Sequence, residues 1–353
     1  MLPFPARSRA AAAVAASALL AGASVSAIAQ DAQSAKSKMV VRGAGATLPA
    51  PLYERWIQMY RERHPEAVIT YEAVGSGEGQ RRFLANAVDF GASDAALSDE
   101  QIARAKSGAR LVPVIGGIVV LAYNLPGLTK PLRLSRDVYV DIFSRQIRSW
   151  NDPRIRAINP DVDLPNRNIT IVARQDSSGT TFAFTNHLAA ISESWRDRGP
   201  GVSNLVDWRG AMLARGNEGV AGRIKVSTDS IGYVEYHFAK RLGLPMARLQ
   251  NKAGRFVDPN DQSGQAALAG AKQMPENLRL FLPDPDGEAS YPIVTYTWLL
   301  LHARYADHDK ATALKKFVAW GLTDGQAYSR DLGYIPLPPE IATLSLASLD
   351  RID

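Results

Sequence analysis

The run Arg174-Gln175-Asp176-Ser177-Ser178-Gly179-Thr180-Thr181 gathers groups suited to holding an anion. Residues 169–172 are mostly β-branched and read as a strand, while Phe182-Ala183-Phe184 continues a helix. Asp176, Ser177 and Ser178 can each offer an oxygen to an unpaired helical N–H. The amides of Gly179, Thr180 and Thr181 then point out of a helix start, where the macrodipole is positive. With the Arg174 guanidinium beside it, such a start is a seat for a tetrahedral anion. A plain strand-to-helix cap would use the same residues; two upstream stretches of the same construction favour the anion.

Ala46-Thr47-Leu48 follows a short strand at 39–42 and precedes a helix. That helix is marked by Pro51 and by Leu52, Trp56, Met59 and Tyr60 at helical spacing, which makes Trp56 a core residue and Thr47 a candidate cap. Gly75-Ser76-Gly77 follows an alternating strand at 68–74 and opens a helix carrying Phe83, Leu84, Ala87 and Val88. Asp89-Phe90-Gly91-Ala92-Ser93-Asp94 is a strand with Asp94 at its carboxyl end, the edge where open α/β sheets bind ligands. Three helix starts from different parts of the chain can converge in one cleft. Hydrogen bonds to a charged group contribute roughly 1.5–3 kcal/mol each. Five or six of them, less the cost of association, correspond to micromolar or tighter binding, about −8 kcal/mol. No metal is needed for that.

The elements that must position these turns alternate between strand and helix. The apolar run 111–123, broken only by Gly116-Gly117, reads as a buried strand leaving at Asn124-Leu125-Pro126-Gly127. An amphipathic helix (Val138, Ile142, Phe143) and a polar turn around Trp150-Asn151-Asp152-Pro153 follow. Farther on come a strand at 231–234 entering a helix at 235–242, a hairpin over 249–257, and an apolar strand at 293–302. Helices are predicted at 311–320, 325–332 and 339–348. The alternation predicts α/β architecture. The length predicts two lobes, with crossings near Tyr123-Asn124 and Tyr296-Thr297. Lobe I is then 39–123 with 297–353, and lobe II is 124–296.

Composition narrows the class. At 46% hydrophobic and 22% charged, the chain of 353 residues has ample material for a core. Arg7 and Arg9 precede an apolar stretch at 10–23, too short to span a bilayer, and Ala27-Ile28-Ala29 is a small-x-small cleavage site. This predicts a secretory signal peptide over 1–29 and a polar lead-in over 30–38; an N-terminal membrane anchor is the alternative. There is no cysteine, which excludes disulfides and thiolate metal sites and fits a periplasmic location. The formal charge of +6 loses Arg7 and Arg9 with the signal, leaving about +4. That charge is dispersed, with no basic cluster interleaved with aromatics, so nucleic acid is not expected as a partner.

Catalysis finds little support. The five histidines, His64, His187, His237, His302 and His308, show no metal-ligand spacing. No Gly-x-Ser-x-Gly elbow surrounds Ser76 or Ser178, and no Walker loop follows either glycine-rich turn. His187 falls two turns into the third helix, a place for solvent or core. No catalytic residue, metal or cofactor is expected.

Four motifs, in order along the chain, carry a family resemblance. They are Gly43-Ala44-Gly45-Ala46-Thr47-Leu48-Pro49-Ala50-Pro51-Leu52-Tyr53, Asp89-Phe90-Gly91-Ala92-Ser93-Asp94-Ala95-Ala96-Leu97-Ser98, Arg174-Gln175-Asp176-Ser177-Ser178-Gly179-Thr180 and Gly232-Tyr233-Val234-Glu235-Tyr236. Together they resemble the periplasmic phosphate-binding proteins of the bacterial ABC-type phosphate transporter. The resemblance implies a two-lobed periplasmic binding protein fold with a hinge, inorganic phosphate clasped in the interlobe cleft, and delivery to membrane permease subunits. It implies as phosphate ligands the Thr47 hydroxyl with Leu48 and Ala46 backbone, Ser76, Asp94, Arg174, Ser178, Gly179 and Thr180. Asp176 is the implied partner of Arg174. Asp94 would then accept the proton that phosphate carries and sulfate lacks; the bland alternative is a helix cap ahead of Glu100-Gln101. Glu78 departs from the family pattern and is expected to point outward. A monomer is expected. The competing readings are a phosphatase built on a phosphate-binding fold and a binder of another oxyanion.

Overall fold

The computed structural model describes residues 39–128, 130–270 and 273–353, and residues 40–353 form a compact unit. The expected signal peptide and lead-in lie outside the described residues. In chain order the elements are β1 (Met39–Gly45), α1 (Ala50–Arg63), β2 (Ala67–Ala73), α2 (Ser76–Leu84), β3 (Phe90–Ser93), α3 (Asp99–Arg104) and β4 (Arg110–Asn124). Then come β5 (Arg133–Leu134), α4 (Arg136–Phe143), α5 (Pro153–Ile158), β6 (Thr170–Arg174), α6 (Gly179–Ile191), β7 (Met212–Ala214), α7 (Gly216–Val226), β8 (Ser230–Glu235) and α8 (Tyr236–Arg241). The chain closes with β9 (Arg248–Gln250), β10 (Phe256–Val257), α9 (Asp261–Ala269), β11 (Val294–Leu301), α10 (His308–Leu322) and α11 (Pro339–Ser348).

One mixed sheet of eight strands runs β2-β1-β3-β11-β4-β8-β6-β7. Strand β4 is its common member. Residues Arg110 to Ile118 pair antiparallel with β11, and Val119 to Asn124 pair antiparallel with β8. From Leu111 to Tyr123 this strand is buried, as expected of an apolar run covered on both faces. β3 lies parallel to β1 and antiparallel to β11, with Trp298 opposite Ser93. β6 lies parallel to both β8 and β7. A smaller sheet holds β10, β9 and β5, including the expected hairpin between β9 and β10.

Three local expectations need correction. The helix after Gly75 stops at Leu84, short of Ala87 and Val88, because Asn86 takes a left-handed φ of 54°. The Trp150 turn is not merely polar: Trp150 is buried and donates to Asp229 O at 3.2 Å, while Asp152 caps α5. Helix at 325–332 is reduced to a 3-10 turn over Asp324–Tyr328. Among the described residues no helix is long and apolar enough to cross a membrane.

Trp56 sits in the core as its spacing implies, 1% exposed, and its Nε1 donates to Gly325 O at 2.7 Å. Trp56→Ala should therefore leave a cavity and an unpaired carbonyl, costing about 3–5 kcal/mol. A urea melt checks this through a lowered midpoint at unchanged slope.

Candidate functional site

The first helix start is bent by its glycines and prolines. Pro49 occupies the position before α1 and makes no side-chain cap, with Pro51 inside the first turn. Thr47 thus does not spend its hydroxyl on capping. Ala46 donates its N–H to Ala92 O at 2.9 Å, and its carbonyl receives the Tyr71 hydroxyl at 2.7 Å. Leu48 is fully buried, with its carbonyl taking the Tyr334 hydroxyl at 2.7 Å. The loop is therefore held from both sides.

At the second start, Gly75 adopts a φ of 96°, open to glycine, and donates to Gly45 O at 2.8 Å. Ser76 is the first helical residue and 1% exposed. Its Oγ accepts the Asp94 N–H at 3.2 Å and lies 3.5 Å from Asp94 Oδ2. Asp94 is no helix cap, since Ser98 caps α3. Its carboxyl is 1% exposed and takes the Thr297 hydroxyl on Oδ1 at 2.7 Å. Burial drives the Asp94 pKa from 3.8 to about 7, against the opposing pull of Thr297, Arg174 and Ser76.

The third start is the one true cap. Ser178 Oγ accepts the Thr181 N–H at 3.1 Å. Gly179 is required by close approach, because a Cβ there would stand 2.5 Å from both Asp94 Cβ and Ser76 Oγ. Arg174, 2% exposed, forms a two-point pair with Asp176, its Nε donating to Oδ1 at 2.8 Å and its Nη2 to Oδ2. Its Nη1 donates to Thr180 Oγ1 at 3.3 Å. Burial alone would raise the Asp176 carboxyl, but Arg174 and the Gly216 N–H hold it below the ordinary carboxylate value. Tyr233 of β8 fixes this corner: its hydroxyl accepts the Arg174 N–H at 3.2 Å and bonds the Thr181 hydroxyl at 2.8 Å.

The structure thus brings Ser76, Asp94 and Gly179 into one cluster, and Arg174, Asp176 and Thr180 into another tied to Thr47 through Asn217. The two clusters are continuous through Gly179 and Thr180. The Gly77 N–H donates across to Ser177 O at 3.1 Å. A cavity of about 1110 Å³ opens beside them, lined in part by Thr47, Asp176 and Asn217. Ser76, Asp94, Arg174, Ser178 and Thr180 are buried and do not line it. Glu78, expected to point outward, is among the residues lining this cavity, with its carboxylate held along its own helix by Arg81 (Nε–Oε2, 2.7 Å) and Arg82 (Nε–Oε1, 2.8 Å). Their hydrogen bonds lower its pKa to about 2.

Two polar partners escaped sequence reasoning. Asn217 lies at the start of α7, a helix whose Gly216, Gly219 and Gly222 obscure its pattern. Thr297 was hidden in an apolar strand. Its signal was available: Thr295 and Thr297, two apart, share a face of β11, and both hydroxyls reach Asp94, at the carbonyl (3.4 Å) and at Oδ1 (2.7 Å). His187 is buried, with Nδ1 on Pro283 O at 2.6 Å and Nε2 on the Tyr139 hydroxyl at 2.8 Å, a structural role. Among the described residues no cluster of three His, Cys, Asp or Glu could hold a metal ion.

The family model described as the PBP superfamily domain matches residues 26–324. The chain is similar to the phosphate-binding protein PstS of Haemophilus influenzae, 39% identical over 307 residues, covering 86% of this chain and 90% of that protein. It is likewise similar to PstS of Methanocaldococcus jannaschii, 36% identical over 341 residues, covering 90% of this chain and 87% of the relative. In fold it resembles the crystal structure of a phosphate binding protein from Stenotrophomonas maltophilia, with a TM-score of 0.72, 20% identity, and coverage of 88% and 93% respectively.

The raised Asp94 pKa makes the stability of the fold depend on pH. Between about pH 4 and about pH 7 the folded chain keeps a proton there that the unfolded chain releases. The associated stability is full below about pH 4 and is lost as the pH rises through about 7. The shift corresponds to at most about 4 kcal/mol. The melting temperature of the wild type minus that of Asp94→Asn should therefore fall across this window, as thermal melts at several pH values would reveal. A pH-independent difference would show that Asp94 titrates normally.

Proposed function

The chain belongs to the PBP superfamily, among the PstS phosphate-binding proteins, and from that membership we propose that it is a periplasmic receptor for inorganic phosphate. It delivers phosphate to the membrane permease subunits of an ABC-type importer and is not an enzyme. It is exported by a signal peptide over 1–29, cleaved after Ala29, and works as a monomer. Its two lobes are 39–123 with 297–353, and 124–296. The change of partner along β4, from β11 to β8, supports a hinge there.

One observation carries the reading: a buried carboxyl, Asp94, faces the start of α6, beside Ser76 and Gly179. An acceptor among donors is wrong for an anion without protons and right for one that keeps a proton at neutral pH. Phosphate donates that proton to Asp94. The Thr47, Ser76, Ser178 and Thr180 hydroxyls, the Leu48, Gly179 and Thr180 amides and the Arg174 guanidinium supply hydrogen bonds to its oxygens. Ala46, whose N–H is engaged with Ala92, contributes the close backbone approach. Asp176 orients the guanidinium and offsets its charge. Such an array of dipoles, with one paired cation, binds strongly without metal.

Above about pH 7, where Asp94 is ionised, sulfate would meet it oxygen against oxygen, with no proton between them. Calorimetry at about pH 8, with Asp94 ionised, should show tight phosphate binding and far weaker sulfate binding by the wild type. Asp94→Asn, whose amide can donate, should narrow the gap by roughly 10–100-fold, the worth of a hydrogen bond to a charged group. Equal affinities for the two anions in the wild type would refute the selectivity mechanism.

A further inference from the structure

Asn217 is fully buried and hydrogen-bonds to three separate segments of the chain, at Thr47, Thr180 and Glu235. Its side-chain orientation is set by chemistry: the Glu235 backbone N–H can only donate, so the atom 3.1 Å from it is Oδ1. The Nδ2 group therefore faces the other way, 3.1 Å from Thr47 Oγ1 and 3.1 Å from Thr180 Oγ1, one hydrogen for each. The Asn217 backbone N–H adds a second bond to Thr47 Oγ1 at 3.3 Å. Thr180 Oγ1 receives its second from Arg174 Nη1 at 3.3 Å.

A hydroxyl oxygen has two lone pairs and one proton. At Thr47 both lone pairs accept from Asn217, and at Thr180 they accept from Asn217 and Arg174. Each hydroxyl is left with its proton alone. For Thr180 the nearby protein acceptor is Asn217 Oδ1, at a longer 3.4 Å and already engaged by Glu235.

We propose that Asn217 is the positioning residue that turns Thr47 and Thr180 into obligate proton donors toward a bound oxyanion. It does so with one amide group that joins segments 170 and 37 residues away. The inference rests on the phosphate-receptor reading and deepens it. Free hydroxyls can turn either way and accept from a protonated anion oxygen; these two cannot. The anion's protonated oxygen is thereby excluded from the Thr47 and Thr180 side of the pocket and directed to Asp94.

The test is phosphate calorimetry on Asn217→Ala and Asn217→Asp, alone and with Thr180→Val or Thr180→Ser. Asn217→Asp keeps an acceptor for Glu235 while replacing the donors with acceptors, and serves if the alanine variant does not fold. Each single variant should bind phosphate at least about tenfold more weakly, equivalent to about 1.4 kcal/mol. In the Thr180→Val background the penalty should shrink by at least about threefold, because one of the two oriented hydroxyls is gone. Thr180→Ser keeps the hydroxyl and should retain the full penalty. A penalty equal in all three backgrounds, or no penalty, would overturn the role of Asn217 while leaving the receptor reading intact. A wild-type chain that does not bind phosphate would overturn both.

Discussion

A carboxyl group shut away from water beside the ends of two helices constrains the whole cleft. Left alone, a buried carboxylate is costly, and the surroundings of Asp94 only partly repay it, since its pKa stays near 7. The compensation comes from Thr297, which is available because β11 lies between β3 and β4 in the sheet. It comes also from Ser76, which opens α2 beside the end of β3. The third neighbour is a hydrogen, that of Gly179, because any larger side chain would displace Asp94 or Ser76. Sheet order, helix start and residue size are thus all answerable to one acidic group.

The alternation of strand and helix was legible because each element carries its own period and its own punctuation. β4 announced itself as an unbroken apolar run, and α1 through the spacing of Leu52, Trp56 and Tyr60. The helix starts were legible as turns of small and hydroxylated residues. What each hydroxyl does there was not. Ser178 caps its helix, whereas Thr47 and Ser76 do not, because Pro49 and Gly75 occupy the positions before those helices. Local sequence signals that a hydroxyl stands at a helix start; only tertiary partners decide whether its lone pairs go to the backbone or to another side chain.

Asn217 and Thr297 illustrate the complementary failure. Asn217 belongs to a helix diluted by glycines, whose buried face is just Val220, Ala221 and Ile224 beyond itself. Nothing within α7 alone marks the asparagine as more than a surface residue. Its importance comes from Thr47, Thr180 and Glu235, which lie on three other segments. Thr297 was discoverable in principle, since a threonine pair on one face of an apolar strand must hydrogen-bond when buried. Its partner could be identified only from the antiparallel register that sets β11 against β3.

Charge contributes less to this cleft than direction. Arg174 is tied to Asp176 by two bonds, so the guanidinium arrives with its charge largely balanced. Glu78, which lines the cavity, is likewise held by Arg81 and Arg82. A site so compensated exerts little long-range attraction on any anion, and a bare electrostatic trap would in any case favour the more highly charged competitor. Under the proposed reading, discrimination resides in which way each O–H and N–H points. Those directions are fixed before any ligand arrives, by the Ser178 cap, the Tyr233 hydroxyl on Arg174, and the Asn217 amide between two threonines. An oxyanion with the wrong number of protons would have to leave a buried donor or acceptor unpaired, which costs more than the corresponding bond contributes.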